Sequence, residues 1–241
     1  MKEEIITAEN IRAAKSPCRN IEGKALGKKC LLAAFILPVG MYLSELTAFL
    51  EEPVFSYVYY GNLNTMFYHL ACTLFILGFF ALFHSRIKKL ANFTPFAPIG
   101  SALPVRRKIL LYFMTLLPVF VTSAALDFRF KLVYGLGEKV TAMTLLGNGV
   151  GYIHTAAKLL CVMYFIVLVE EAFEAIFHSV RPIPVGGILA ALTFGIGELM
   201  FAPSAFTLLY LFLIGYFGVV YILSEKRFVI SYVLALIMYI L

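Results

Sequence analysis

Long apolar segments separated by short polar stretches fill the chain from residue 30 to its end. Most of them approach the roughly 20 residues with which a helix crosses a bilayer. The last is shorter, so it either crosses where the bilayer thins or enters only part-way. The pattern predicts an all-α, polytopic transmembrane helical bundle with six to seven spanning helices. The segments cover residues 30–50, 65–83, 109–128, 152–178, 185–201, 206–223 and 228–241.

The composition agrees with this pattern, because 61% of the residues are hydrophobic and only 14% are charged. A soluble domain of 241 residues does not carry such an apolar load. Residues 1–29 are polar and basic and lack the apolar core of a secretory signal peptide. We therefore expect a cytosolic basic tail over 1–29 that contacts anionic lipid, and a single transmembrane domain over 30–241.

Lysine and arginine lie almost wholly in the loops of one side. The tail carries seven of them, the loop from 84 to 108 carries six, and the opposite side carries only Arg129, Lys131 and Lys139. By the positive-inside rule the N-terminus is cytosolic. Because the basic residues alternate with apolar spans, the net charge of +6 indicates membrane topology and excludes a nucleic-acid partner. We expect an integral protein of a bacterial or archaeal plasma membrane.

The fourth span ends in a polar stripe. Glu170, Glu171, Glu174 and His178 fall within about 100° of one another on a helix. Ionisable groups at membrane depth are costly, so they usually face the interior of a bundle and mark function. Paired carboxylates suit general acid and base catalysis. The alternative is a helix end whose glutamates reach water or pair with Arg181.

Glu198 is the next candidate, since it lies well inside the fifth span. A short turn joins the fourth and fifth spans, which predicts antiparallel neighbours. Glu198 is then expected to face the glutamate stripe across a wet cavity; the alternative is a structural polar contact.

Other polar positions within the spans carry weaker expectations. A lone histidine in a membrane helix is more often a hydrogen-bonded packing residue than a ligand. Glu171, Glu174 and His178 supply only one half of a carboxylate and imidazole metal set, and no second Glu-x-x-His appears. We therefore expect no metal and no cofactor. The weaker positions are Glu45, His69, His84, Asp127, His154 and Lys158.

The stretch from about 164 to 235 resembles the core of the CPBP family, the CAAX-processing and bacteriocin-processing intramembrane endopeptidases. That family carries Glu-Glu-x-x-x-Arg, then Phe-x-x-x-His, then His-x-x-x-Asn. Glu170 and Glu171 match its glutamate pair, and Phe194 with Glu198 stands where Phe-x-x-x-His is found. Ala175 occupies the arginine position, and the segment from 228 to 241 has neither His nor Asn.

The resemblance implies a glutamate-dependent intramembrane peptidase, or a catalytically degenerate relative of one. Glu170 or Glu171 would activate water, and Glu198 would hold the water or the scissile carbonyl near the cytosolic leaflet. The substrate would be a membrane protein or peptide. The alternative, favoured by the missing Arg, His and Asn, is a non-catalytic membrane subunit or transporter component that binds a partner protein or lipid.

Overall fold

The structure is a computed structural model that describes residues 21, 23–45, 61–96, 103–125, 142–177, 183–201 and 204–241. Across these ranges the chain forms seven helices and no strand, which confirms the all-α prediction. Three helices, Lys24–Glu45, Met66–Ala91 and Val105–Ala124, are long and apolar enough to cross a membrane. This is typical of a membrane protein, while the number of spans and their orientation stay predictions.

We number the helices in chain order. Helix α1 runs from Lys24 to Glu45 and is interrupted by a turn at Phe35, and α5 consists of three consecutive pieces. The others are regular. Their bounds are α2 Gly61–Ala91, α3 Val105–Ala125, α4 Ala142–Phe177, α5 Val185–Ala190, Ala191–Gly195 and Ile196–Phe201, α6 Ala205–Leu223, and α7 Phe228–Ile240.

Helix α4 begins ten residues before the apolar segment that predicts it, at residue 142 instead of 152. Three glycines, Gly147, Gly149 and Gly151, lie within this helix. A glycine costs a helix only about 1 kcal/mol relative to alanine, so neighbouring apolar residues and packing override it.

Helix α4 is the centre of the bundle and packs against α1, α2, α5 and α7. Every residue from 161 to 172 on this helix is buried, whichever way its side chain points. A helix that is apolar all round must be covered on all sides, and this one is. Any polar group in this stretch therefore has to find its partner inside the protein.

Two glycines set the spacing of the helices around α4. A Cβ atom on Gly186 would lie 2.2 Å from the backbone oxygen of Ile166, so α5 crosses α4 with the two backbones in contact. A Cβ on Gly187 would lie 2.5 Å from the backbone oxygen of Gly215 on α6. Small residues permit such close crossings. The first crossing brings the start of α5 beside the glutamates of α4.

The middle piece of α5, Ala191–Gly195, is a π-helical turn. Tyr42 of α1 donates its hydroxyl hydrogen to this turn, with its oxygen 3.0 Å from the backbone oxygen of Thr193 and 2.9 Å from that of Phe194. A Cβ on Gly197 would meet that hydroxyl. The irregular turn is thus satisfied by a side chain from α1, which fixes the direction of the last piece of α5.

Candidate functional site

Glu170 and Glu171 are buried near the end of α4, with 4% and 3% of their surface exposed. They face the protein interior, as the sequence predicts. Burying a carboxylate is costly unless hydrogen bonds or charges compensate, so their partners decide what they can do. Their partners include one group on α5 and one in the turn after α6.

Glu170 binds the start of α5. Its Oε2 accepts a hydrogen bond of 2.8 Å from the backbone nitrogen of Gly186. The first N–H groups of a helix have no partner within the helix, and its N-terminus carries a partial positive charge. Glu170 therefore satisfies one of these groups and holds α5 against α4 at the glycine crossing.

Glu171 and Glu174 share Lys226. The Nζ of Lys226 lies 3.9 Å from Oε1 of Glu171 and hydrogen-bonds Oε1 of Glu174. Lys226 stands in the turn between α6 and α7 with a φ of 60°, and Glu225 before it has a φ of 57°. Such values are uncommon for residues other than glycine, so the surrounding contacts hold this turn in place.

A second set of charges anchors the same turn from the other side. Glu225 accepts from Arg227 at 3.1 Å and pairs with Arg107 of α3 at 3.0 Å. The turn is therefore linked by ion pairs to α3 and α4 together. We call the group formed by Glu170, Glu171, Glu174 and Lys226 the Lys226 cluster.

Glu198 does not belong to the Lys226 cluster. Its Oε1 lies 3.6 Å from the Nζ of Lys158, which stands twelve residues before Glu170 on α4. Twelve residues of helix span about 18 Å. Gly186 of α5 lies level with Glu170, and α5 runs antiparallel to α4. Glu198 is twelve residues beyond Gly186, which places it at the level of Lys158. The expected convergence of Glu198 with the glutamate stripe is thus not found.

Lys158 instead gathers a second polar group, which we call the Lys158 cluster: Glu45, Tyr68, His154, Lys158 and Glu198. The Nζ of Lys158 is 2.5 Å from Oε1 of Glu45, and Oε2 of Glu45 accepts from the Tyr68 hydroxyl at 2.9 Å. The Nε2 of His154 lies 3.8 Å from Oε1 of Glu45. Four helices, α1, α2, α4 and α5, contribute to this cluster.

Sequence reasoning undervalued the two lysines. The sequence pattern did not single out Lys226, and it gave Lys158 only as a weak polar position. A signal was present for Lys158, because it is the one charged residue between positions 142 and 169. A charge in so apolar a segment needs a partner from another helix. No such signal exists for Lys226, whose role depends on the turn geometry.

The structure describes His69, His84 and His154 but not His178. His178 lies outside the described residues, so its predicted place on the stripe is not tested. His84 accepts or donates a hydrogen bond of 2.9 Å between Nδ1 and the hydroxyl of Tyr164, and packs among aromatic rings, as expected of a packing histidine. In the described part of the chain, no group of three or more His, Cys, Asp or Glu residues is arranged to hold a metal ion.

No protein-family model, curated protein or solved structure matches this chain. The CPBP resemblance therefore rests on Glu170, Glu171 and Phe194 alone. Phe194 is fully buried and packs edge-on against Phe165 of α4, with ring centroids 5.3 Å apart. Among the residues that the structure describes, Lys226 brings a positive charge to the glutamate pair, whereas Ala175, at the family's arginine position, brings none.

Proposed function

We propose that the chain is a non-catalytic integral membrane subunit with a CPBP-like helical core, which binds a partner protein or lipid and does not hydrolyse peptide bonds. The observation that carries the proposal is the separation of the three candidate carboxylates. Glu170 and Glu171 belong to the Lys226 cluster, and Glu198 is ion-paired with Lys158 on another level of α4.

Hydrolysis by a glutamate base requires a second group that holds the same water or the scissile carbonyl, within about 3 Å of it. Glu198 is paired with Lys158, about 18 Å along α4 from Glu170, which argues against Glu198 holding that water or carbonyl beside Glu170. The oxygens of the Lys226 cluster, meanwhile, join α4 to the start of α5 and to the turn before α7. These contacts make the glutamates structural ties between helices.

The second candidate is a glutamate-dependent intramembrane peptidase with Glu170 or Glu171 as the base. The observation in its favour is the burial of two adjacent carboxylates at the end of an apolar helix. Functional sites often keep such pairs at a cost in stability. The two candidates therefore predict opposite changes in stability when a glutamate is neutralised.

The test is to purify, in lipid nanodiscs, the wild-type protein, the Glu170→Gln, Glu171→Gln and Glu198→Gln variants, and the triple variant that combines these three changes. Each is assayed for thermal unfolding and for cleavage of a mixture of fluorogenic transmembrane peptides. For a binding subunit, Glu170→Gln and Glu171→Gln lower the melting temperature, and wild type cleaves no faster than the triple variant. Glu198→Gln is the comparison variant, because it breaks the ion pair with Lys158 and leaves the Lys226 cluster intact.

The peptidase would be established by the reverse result. Turnover would then fall about 10²–10⁴-fold in Glu170→Gln or Glu171→Gln, with an unchanged or raised melting temperature. That outcome would contradict the proposed binding role.

A further inference from the structure

The exposed face of α2 joins two basic residues to an apolar stripe. Arg86 and Lys89 are exposed and stand three residues apart, so their side chains are neighbours on the helix surface. Leu82, one turn before Arg86, is 72% exposed, and Phe75 is 41% exposed. At about 100° per residue these four positions fall within about 60° of one another. One face of α2 is therefore cationic at its end and apolar before it.

The two cations of this face suit a phosphate group. The ion pairs found among the described residues involve neither Arg86 nor Lys89. Two like charges one turn apart on a helix repel, so an anion placed between them is favoured. Arginine offers a fork of N–H donors that matches phosphate oxygens, and lysine a compact charge. Ser85, also exposed and adjacent on the helix surface, offers a hydroxyl donor.

The apolar part of the face has the length of one lipid chain. Phe75 stands eleven residues before Arg86, or about 16 Å along the helix. One leaflet contributes half of a hydrocarbon core that is about 30 Å thick. Between Phe75 and Leu82, a Cβ atom on Gly78 would meet nothing within 4 Å, so the stripe is open along its length. Helix α2 is also one of the helices that are long and apolar enough to cross a membrane.

We propose that this face of α2 binds one anionic phospholipid, with its phosphate between Arg86 and Lys89 and an acyl chain along Leu82 and Gly78 toward Phe75. The predicted orientation places this end of α2 at the cytosolic leaflet, where anionic lipids are found. The inference rests on the proposed binding role and deepens it by naming the partner as a lipid.

The start of α3 supplies a matched control. Arg106 and Lys108 are exposed there, and Arg107 between them pairs with Glu225 in the turn before α7. The loop after α2 packs against the start of α7, so both basic pairs lie at one end of the bundle. Residues two apart on a helix do not face each other, so Arg106 and Lys108 are not placed to share one phosphate.

The test is native mass spectrometry of the full-length, delipidated protein in detergent. It is titrated with phosphatidylglycerol, with phosphatidylcholine of the same acyl chains, and with glycerol phosphate as the headgroup alone. We expect wild type to bind phosphatidylglycerol more tightly than phosphatidylcholine, and glycerol phosphate to displace neither. The double variant Arg86→Gln with Lys89→Gln should bind phosphatidylglycerol about 10–30-fold more weakly. Arg106→Gln with Lys108→Gln, which removes the same two residue types, should leave this affinity nearly unchanged.

Three results would overturn the proposal. Equal weakening by the two double variants would indicate a diffuse field at this end of the bundle instead of a site. Equal binding of the two lipids by wild type would indicate that another group already neutralises Arg86 and Lys89. Displacement by glycerol phosphate would show that the apolar stripe has no part in binding. Thermal unfolding of each variant verifies that it folds. These results leave the binding role itself standing, whereas peptide cleavage by wild type would refute that role.

Discussion

Replacing Lys226 by methionine removes the cation of the Lys226 cluster while keeping most of its apolar stem. Glu171 then loses the ammonium at 3.9 Å, and Glu174 loses its hydrogen-bond donor. The two carboxylates are left facing one another without the charge between them. We expect the variant to be less stable, with the contacts between α4 and the turn before α7 weakened first.

The size of the expected loss in stability follows from how deeply the side chains of the cluster are buried. The Glu171 side chain is 3% exposed, whereas those of Lys226 and Glu174 are 19% and 29% exposed. A buried glutamate that has lost its cation can become neutral by binding a proton. At pH 7 this costs about 3.7 kcal/mol for the reference pKa of about 4.3. Partial hydration of Glu174 reduces its share of the loss. We therefore expect a loss of about 1–3 kcal/mol, with a melting temperature lower by ~2–4 °C for each kcal/mol.

The assay is thermal unfolding in nanodiscs of Lys226→Met, Glu171→Gln and the double variant. Residues in one ion-pair network are coupled. The free energy of unfolding lost in the double variant should therefore be smaller than the sum of the two single losses by at least about 0.5 kcal/mol. Lys226→Arg keeps the charge and should lose less than Lys226→Met. Lys88→Met, an exposed lysine of α2, serves as the control. Additive losses, or equal melting of Lys226→Met and Lys88→Met, would show that the pairing does not stabilise the fold.

Three further predictions concern the crossing, the aromatic core and the topology. Gly186→Ala should cost about 1–3 kcal/mol in thermal unfolding, because its Cβ would lie 2.2 Å from a backbone oxygen of α4, while Gly78→Ala, with nothing within 4 Å, should not destabilise. Tyr164→Phe should cost about 1 kcal/mol by removing the hydrogen bond to His84, and an unchanged melting temperature would argue against that bond. A membrane-impermeant maleimide should label Cys18 only from the cytosolic side, and labelling of intact cells would reverse the predicted orientation.

Periodicity and composition alone were enough to predict the helical class and the placement of most helices. An apolar segment of this length has to be helical, since every backbone group must be hydrogen-bonded within the segment when no water is present. The same logic marked Glu170 and Glu171 as inward-facing, because charges in an apolar stretch are costly where they meet lipid. These inferences depend on local pattern, which the sequence carries directly.

Only the tertiary structure shows which charged side chains form ion pairs with one another. Glu198 was expected to face the glutamate stripe across a wet cavity, but it lies level with Lys158 and pairs with it, because antiparallel helices pair residues at equal distances from the crossing. Lys226 reaches the glutamate pair through a turn with positive φ angles that no periodicity reveals. A sequence shows that a buried charge needs a partner; only the helix crossings, which close glycine contacts determine, show which charge supplies it.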